Sequence, residues 1–502
     1  MLSRAMAPVW RLTVSLQGIA WIFAIIVLVY AYPFIAPSLN SDDVIQIQSI
    51  SRDALTFIAQ GRWGYFIIFE WLQDNNPGAL FYGAAGLAVL LLSSWIAARI
   101  IGLRHGAAVY AFLLVSCISI YYGMLFDFSS TRLAYPLANL AALGGLWLCI
   151  NQRPLAGVLI MSLAPALYPA ASQLAGTVLI CAAIASVLRE GNLSHLKRFL
   201  WGGLGIILSL IAYYLITRLA YQLLNIAPGQ RMSISPLAAI DNFRVIYSLL
   251  GGHTFPFLCT DCLGSYRTVR WLLPLAAIFA LFLLVVITKS KQQRKPLHSI
   301  IVALLILLGF FSPFALAFAG SNTPFPPRSL ISLAVLHGFW VAFAFDAIAD
   351  RSVKNGSSHY IGGAVLLAAF LFVFDSGAQI NNFAYDKHLS TQVDMLATNR
   401  IISRIELVAA NEQRDLQTPQ PLVVIHDIPL QSSPRGDAGT ARHAPWSKEW
   451  IFRLASPQLR PAPETEQIAR EAAAGRSGWP SHESVFFLDN GTVVVIINQH
   501  EE

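Results

Sequence analysis

Runs of apolar residues separated by short polar breaks fill the first three quarters of the chain. They fall near residues 12–35, 79–98, 107–126, 134–150, 155–169, 172–188, 199–219, 271–288, 299–319, 329–347 and 361–377. A bilayer's hydrocarbon core takes about 20 such residues as a helix. The pattern therefore predicts eleven membrane spans. The 155–169 run carries Pro165 and Pro169 and predicts a broken or re-entrant helix. Two of the gaps are long, about 36–78 and 220–270. In the first, Val44, Ile47, Ile50, Leu55, Ile58, Phe66, Phe69 and Trp71 recur at helical spacing. Short amphipathic helices lying along the membrane or docked on the bundle are expected there.

Beyond residue 377 the pattern changes. A helical period runs from Tyr385 to Gln413, and Pro421–Asp427 reads as a buried strand. Glu464–Ala474 reads as a helix. Ser484–Asp489, Asn490-Gly491 and Thr492–Ile497 read as a hairpin with a two-residue turn. The expected fold is an α-helical polytopic membrane protein of two domains. Residues 1–377 would be the transmembrane domain and residues 378–502 a small α/β domain outside the membrane.

Composition agrees. Of 502 residues, 56% are hydrophobic and 12% charged, where a soluble domain carries about 25% charged residues. Through residue 377 there are 23 Lys+Arg against 12 Asp+Glu, and after it 11 against 15. The basic excess thus belongs to the membrane part, where it orients loops; nucleic acid is not implied. With a cytoplasmic N-terminus, the five lysines before residue 377 (Lys197, Lys289, Lys291, Lys295 and Lys354) all fall inside. Eleven spans then place the C-terminal region outside. The first apolar run lacks a small-residue cleavage site and reads as a retained helix. Neither a nucleotide-phosphate loop nor a dinucleotide fingerprint is present.

Candidate chemistry gathers in the outer gaps. Asn40-Ser41-Asp42-Asp43 follows the first span directly. Paired carboxylates beside lipid are costly, so they mark a site unless they are solvated or cap a helix. Gly61-Arg62-Trp63 follows in the same gap, Arg132 lies in Phe128-Ser129-Ser130-Thr131-Arg132, and Arg328 sits among Pro324, Pro326 and Pro327. Guanidinium forks suit partly dehydrated phosphate. Arg328 is the first phosphate candidate, with Arg62 and Arg132 after it. Cys117, Cys149 and Cys181 lie in apolar spans and read as packing residues. Cys259 and Cys262 form a CxxC in the long outer gap, where an oxidising compartment favours a local disulfide. His253 adds too few ligands for a metal site.

These features resemble the GT-C superfamily of integral-membrane glycosyltransferases. Asn40-Ser41-Asp42-Asp43, Gly61-Arg62-Trp63, Pro165-Ala166-Leu167-Tyr168 and Pro327-Arg328-Ser329 resemble the O-antigen glucosyltransferase family of bacterial serotype conversion. That family often has glutamine directly after the tyrosine; here Pro169 follows Tyr168, and the glutamine is Gln173. The resemblance implies a polyprenyl-phosphate sugar donor, with glucose as the sugar, and a lipid-linked glycan acceptor. Transfer would take place at the periplasmic face of the bacterial inner membrane, among membrane lipids. Asp42 or Asp43 would be the general base. Asp43 is preferred because Asp42 suits the cap of a helix beginning near Val44. Asp127 is the next acid to consider. Arg328, Arg62 and Arg132 would hold the donor phosphate, and Trp63, Tyr65 and Tyr168 would line the substrate. One base with direct displacement implies inversion, without metal or cofactor. A lipid-linked oligosaccharide flippase or an O-antigen polymerase would also have many spans and outer arginines, but mid-span charges are nearly absent here.

Overall fold

The computed structural model describes residues 14–36, 38–48, 52–73, 80–190, 196–229, 242, 246, 269–293, 296–318, 327–352, 358–426 and 447–498. In chain order the α-helices are α1 (Leu16–Ile35), α2 (Ser41–Gln48), α3 (Arg52–Ala59), α4 (Trp63–Ile67), α5 (Leu80–Ile101), α6 (Gly106–Cys117), α7 (Ile120–Phe126), α8 (Ala134–Ile150), α9 (Pro154–Leu167), α10 (Ala170–Glu190), α11 (Leu196–Leu224), α12 (Val269–Gln293), α13 (Pro296–Phe311), α14 (Ile331–Ser352), α15 (Ser358–Asn411), α16 (Trp450–Ala455) and α17 (Glu466–Ala473). The strands are β1 (Gln420–His426), β2 (Leu459–Pro461), β3 (Val485–Phe487) and β4 (Val493–Asn498). The chain forms two compact units. The first is Met1–Phe34, Ala54–Phe126 and Ser130–Asn382; the second is Ile35–Asp53, Asp127–Ser129 and Phe383–Glu502.

Every apolar run lies on a helix, but among the described residues fewer than eleven helices have both the length and the apolar content that a bilayer needs. Among the described residues eight are long and apolar enough to cross, and the bent pair α6–α7 makes a ninth when taken as one span. Of the two remaining apolar stretches, Pro154–Leu167 is a short helix, and Leu275–Ser290 is the apolar part of the longer α12. The outward apolar side chains of α11 and α13, such as Trp201, Ile207, Leu215, Ile300 and Leu304, are exposed in the protein alone, as expected for helices facing lipid.

The 155–169 run stops before Pro169, short of a full span, and a sharper bend lies elsewhere. α9 runs through Pro165 to Leu167. The bend, 48°, separates α6 from α7, where no proline stands. Buried Tyr30 explains it: its hydroxyl donates to the Cys117 carbonyl at 2.9 Å and also lies 3.4 Å from that of Ser119. Those carbonyls are thus satisfied where the helix leaves its own ladder.

Small residues set the closest approaches. Gly157 of α9 lies against Gly145 of α8, so that a Cβ at either would stand 2.6 Å from the other's carbonyl oxygen. Such close backbone approach substitutes for hydrophobic drive between helices in lipid. Arg189 of α10 pairs with buried Asp346 of α14. Asp346 also accepts the backbone N–H groups of Arg104 and His105, at 3.2 and 2.9 Å. One carboxylate thereby fastens the α5–α6 turn to two other helices. Cys117, Cys149 and Cys181 are buried free thiols, as read from the sequence.

In the second unit the four strands form one sheet in the order β2-β1-β4-β3. β1 runs parallel to β2 and β4, and β3 pairs antiparallel with β4. Side chains alternate between two cores. Leu422, Val424, Val493 and Val495 face Ile401 and Ile405 of α15, Phe452 of α16 and Val44 of α2. Val423, Ile425, Val494 and Ile496 face Ala469 and Ala473 of α17. The β3–β4 connection differs from the two-residue turn expected. Leu488 N–H bonds to the Thr492 carbonyl at 2.9 Å, leaving Asp489, Asn490 and Gly491 as a three-residue loop. Gly491, at φ 85°, supplies its left-handed position.

Candidate active site

The acid pair belongs to the second unit, because Val44 anchors α2 in the sheet core. The helix starts at Ser41, earlier than expected, and Asn40 is its cap. The Asn40 Oδ1 accepts the Asp42 N–H at 3.2 Å, and the Asn40 carbonyl accepts the Val44 N–H at 3.1 Å. Asparagine is among the best residues at this position, and acids in a first turn suit the helix dipole. The capping role expected of Asp42 therefore falls to Asn40, which removes the ground for preferring Asp43. Asp43 is 0% exposed, and its Oδ2 accepts the Ser129 N–H at 3.0 Å. Asp42 is partly exposed.

Beside the pair stands a cluster that sequence reading missed. Asp127 receives the Ser38 hydroxyl at 2.5 Å, the Asn40 Nδ2 at 3.1 Å and the Lys387 Nζ at 3.6 Å. These residues are far apart in the chain, and no local spacing signals their meeting.

The remaining candidates belong to the first unit. Gly61, at φ 77°, turns the chain into α4. Tyr213 and Tyr221 of α11 hold this turn through the carbonyls of Gly61 and Ala59, at 3.1 and 2.8 Å. Arg62 is partly exposed, and the Trp63 indole N–H donates to Thr217 Oγ1 at 3.2 Å. Tyr65 is 1% exposed. Its ring packs 4.5 Å from Phe57 and 5.9 Å from Phe69, measured between centroids, which makes it a core residue.

The short 3-10 turn Pro327–Ser329 carries Arg328. Tyr168 donates its hydroxyl to the Arg328 carbonyl at 2.9 Å, and the Gln173 amide donates to the Ser329 carbonyl at 2.5 Å. The Tyr168 ring stacks on Tyr135 at 4.0 Å. Tyr168 and Gln173 thus act on consecutive carbonyls, although Pro169 and three further residues separate them in sequence. Arg132 is 2% exposed. Its Nε and Nη2 donate to the carbonyls of Phe126 and Pro33, both at 3.1 Å, and the guanidinium lies 4.9 Å from the Phe34 ring centroid. It serves the C-terminal ends of α7 and α1, where helix dipoles favour a cation.

The CxxC of Cys259 and Cys262, and most of the 220–270 gap, lie outside the described residues. Among the described residues, no group of three or more His, Cys, Asp or Glu side chains could hold a metal ion.

The family model described as Glucosyl transferase GtrII matches residues 31–345. The chain belongs to the GtrII glucosyl transferase family. The match takes in both acids, all three candidate arginines and Tyr168. As a GtrII family member with apolar spanning helices, the protein is a membrane glycosyltransferase. A search of curated proteins finds no match. Among solved structures, ArnT from Cupriavidus metallidurans bound to undecaprenyl phosphate aligns at a TM-score of 0.41 and 12% identity, over 91% of this chain and 92% of that one.

Proposed function

We propose that this glycosyltransferase moves glucose from a polyprenyl-phosphate donor to a lipid-linked glycan such as O-antigen, at the periplasmic face of the inner membrane. Family membership over 31–345 supports the sugar class. The observation that carries the mechanism is the unequal setting of the two acids: Asp43 is buried and tied to the Ser129 N–H, while Asp42 stays partly exposed at the start of α2.

Asp42 is the base in this reading, and Asp43 holds the segment in place. As an acceptor hydroxyl attacks the anomeric carbon, its proton passes to the Asp42 carboxylate. The anomeric C–O bond to phosphate breaks, its electron pair leaves with the phosphate, and the configuration inverts. Arg328 meets the phosphate charge, assisted by Arg62. Nothing in this scheme requires a metal or a cofactor. Arg132 and Tyr65 are assigned to packing, Trp63 to the substrate edge, and Tyr168 to fixing the Arg328 backbone.

The test compares Asp42→Asn with Asp43→Asn in membranes where both are folded and equally abundant. Asp42→Asn should lower transfer ~10²–10⁴-fold while still binding the lipid donor. Asp43→Asn keeps an oxygen for Ser129 and should lose less. If Asp43→Asn is the inactive variant, the two roles exchange. If both transfer sugar normally, the base lies elsewhere.

A further inference from the structure

Lys387 is on α15, beyond the residues that the family model matches. It is 6% exposed and pairs with Asp127, itself 5% exposed. A buried carboxylate without a cation is costly, so the lysine compensates for a charge that the fold keeps inside. Asp127 also receives the Asn40 Nδ2. An ionised carboxylate accepts hydrogen bonds and cannot donate them, so it fixes which end of the Asn40 amide faces it. The opposite end, Oδ1, is then aimed at the start of α2, where it accepts the Asp42 N–H and the Ser41 hydroxyl, at 3.2 and 3.3 Å.

Thr391, one turn after Lys387, repeats the arrangement on the backbone. Its Oγ1 accepts the Leu39 N–H at 3.0 Å and donates to the Lys387 carbonyl at 3.0 Å. Two residues on one face of α15 therefore hold the segment that ends in the acid pair.

We propose that Lys387 is a positioning residue for sugar transfer, acting through Asp127 and Asn40 on the backbone that carries Asp42. The proposal rests on the reading of Asp42 as the base. In this scheme Lys387 acts through Asp127 and Asn40 and not on the substrate. It sets where α2 begins, and a 1 Å displacement of a reacting group costs roughly 10²-fold in rate.

The experiment measures kcat and KM for the lipid donor, with unfolding midpoints, for the full-length protein in detergent or liposomes. Lys387→Met and Asp127→Asn should each lower kcat roughly 10–100-fold and leave donor KM within about twofold. The double variant should be no slower than the slower single one, because the two residues act as a unit. Lys387→Arg restores a cation and should recover most of the rate. Should Lys387→Met fail to fold, Asn40→Asp carries the test. Aspartate caps a helix as well as asparagine does, yet it offers Asp127 no donor, so kcat should fall similarly.

Additive losses, a change confined to KM, or a lowered unfolding midpoint with normal kcat would each overturn the proposal. Asp42→Asn runs alongside. If it stays active, the reading of the base has failed. If it is inactive while Lys387→Met is normal, only the positioning role has failed.

Discussion

Replacing Arg132 by methionine separates a clamp from a phosphate ligand. The side chain donates two hydrogen bonds to carbonyls at the ends of α1 and α7. Bonds from a charged donor contribute about 1.5–3 kcal/mol each. The contact with Phe34 adds about 0.5–2 kcal/mol. These terms share one group and do not simply add, and methionine recovers part of the apolar packing. A net loss of about 3–5 kcal/mol is expected, a large share of the ~5–15 kcal/mol that holds a typical domain. Arg132→Lys keeps the cation at the helix ends but loses the fork, so about half that loss is expected. The assay is chemical unfolding of the purified protein in mild detergent, followed by tryptophan fluorescence, with donor binding titrated on the folded fraction. The expected outcome is a strongly lowered midpoint with donor affinity within about twofold of wild type. If Arg132→Met unfolds within about 1 kcal/mol of wild type and no longer binds donor, the clamp assignment is wrong and the arginine is a phosphate ligand.

Two further outcomes follow from packing and burial. In Gly157→Ala the new Cβ meets Cys149 Sγ, and it stands 2.6 Å from the Gly145 carbonyl oxygen. It should destabilise by about 1–3 kcal/mol, whereas Gly144→Ala, with nothing within 4 Å, should be neutral or slightly stabilising in the same unfolding assay. Burial raises the Glu449 carboxyl above the usual glutamate range, although Lys448 and the Val424 N–H oppose the shift. An acid whose folded value is raised makes the fold relatively less stable as pH rises from the ordinary value through the raised one. Glu449→Gln should therefore protect β1 against hydrogen exchange at neutral pH relative to wild type. That advantage should vanish near pH 4 when the two proteins are compared at matched pH. Equal protection at every pH would contradict the sign.

Local signals were legible in the sequence and remote ones were not. The apolar runs located the helices, since burial in lipid needs only composition and length. The short helices of 36–78 followed from spacing, and α2, α3 and α4 lie in that stretch. Gly491 was read as part of a two-residue turn; a left-handed glycine at the third loop position serves equally well, and the dipeptide alone does not choose. The cap was expected at Asp42 but is Asn40, whose side chain is also held by Asp127, a residue remote in the chain. The bend at Cys117–Ile120 gave no sign because its cause, the Tyr30 hydroxyl, comes from another helix. The contacts of Asp127 with Asn40 and Lys387 are tertiary, and no period in the chain encodes them.

The closeness of α8 and α9 bears on how the protein is made. α9 has 14 residues and at the usual rise extends about 21 Å, short of the roughly 30 Å that lipid offers. On its own it is a poor passenger for the insertion machinery. Only the Asn151–Arg153 turn parts it from α8, with Gln152 in a left-handed conformation. At ordinary elongation rates those 17 residues leave the ribosome within about 1–4 s of α8. The earlier helix need wait only that long for the partner whose glycine matches its own, so the hairpin can enter the bilayer as a single cargo.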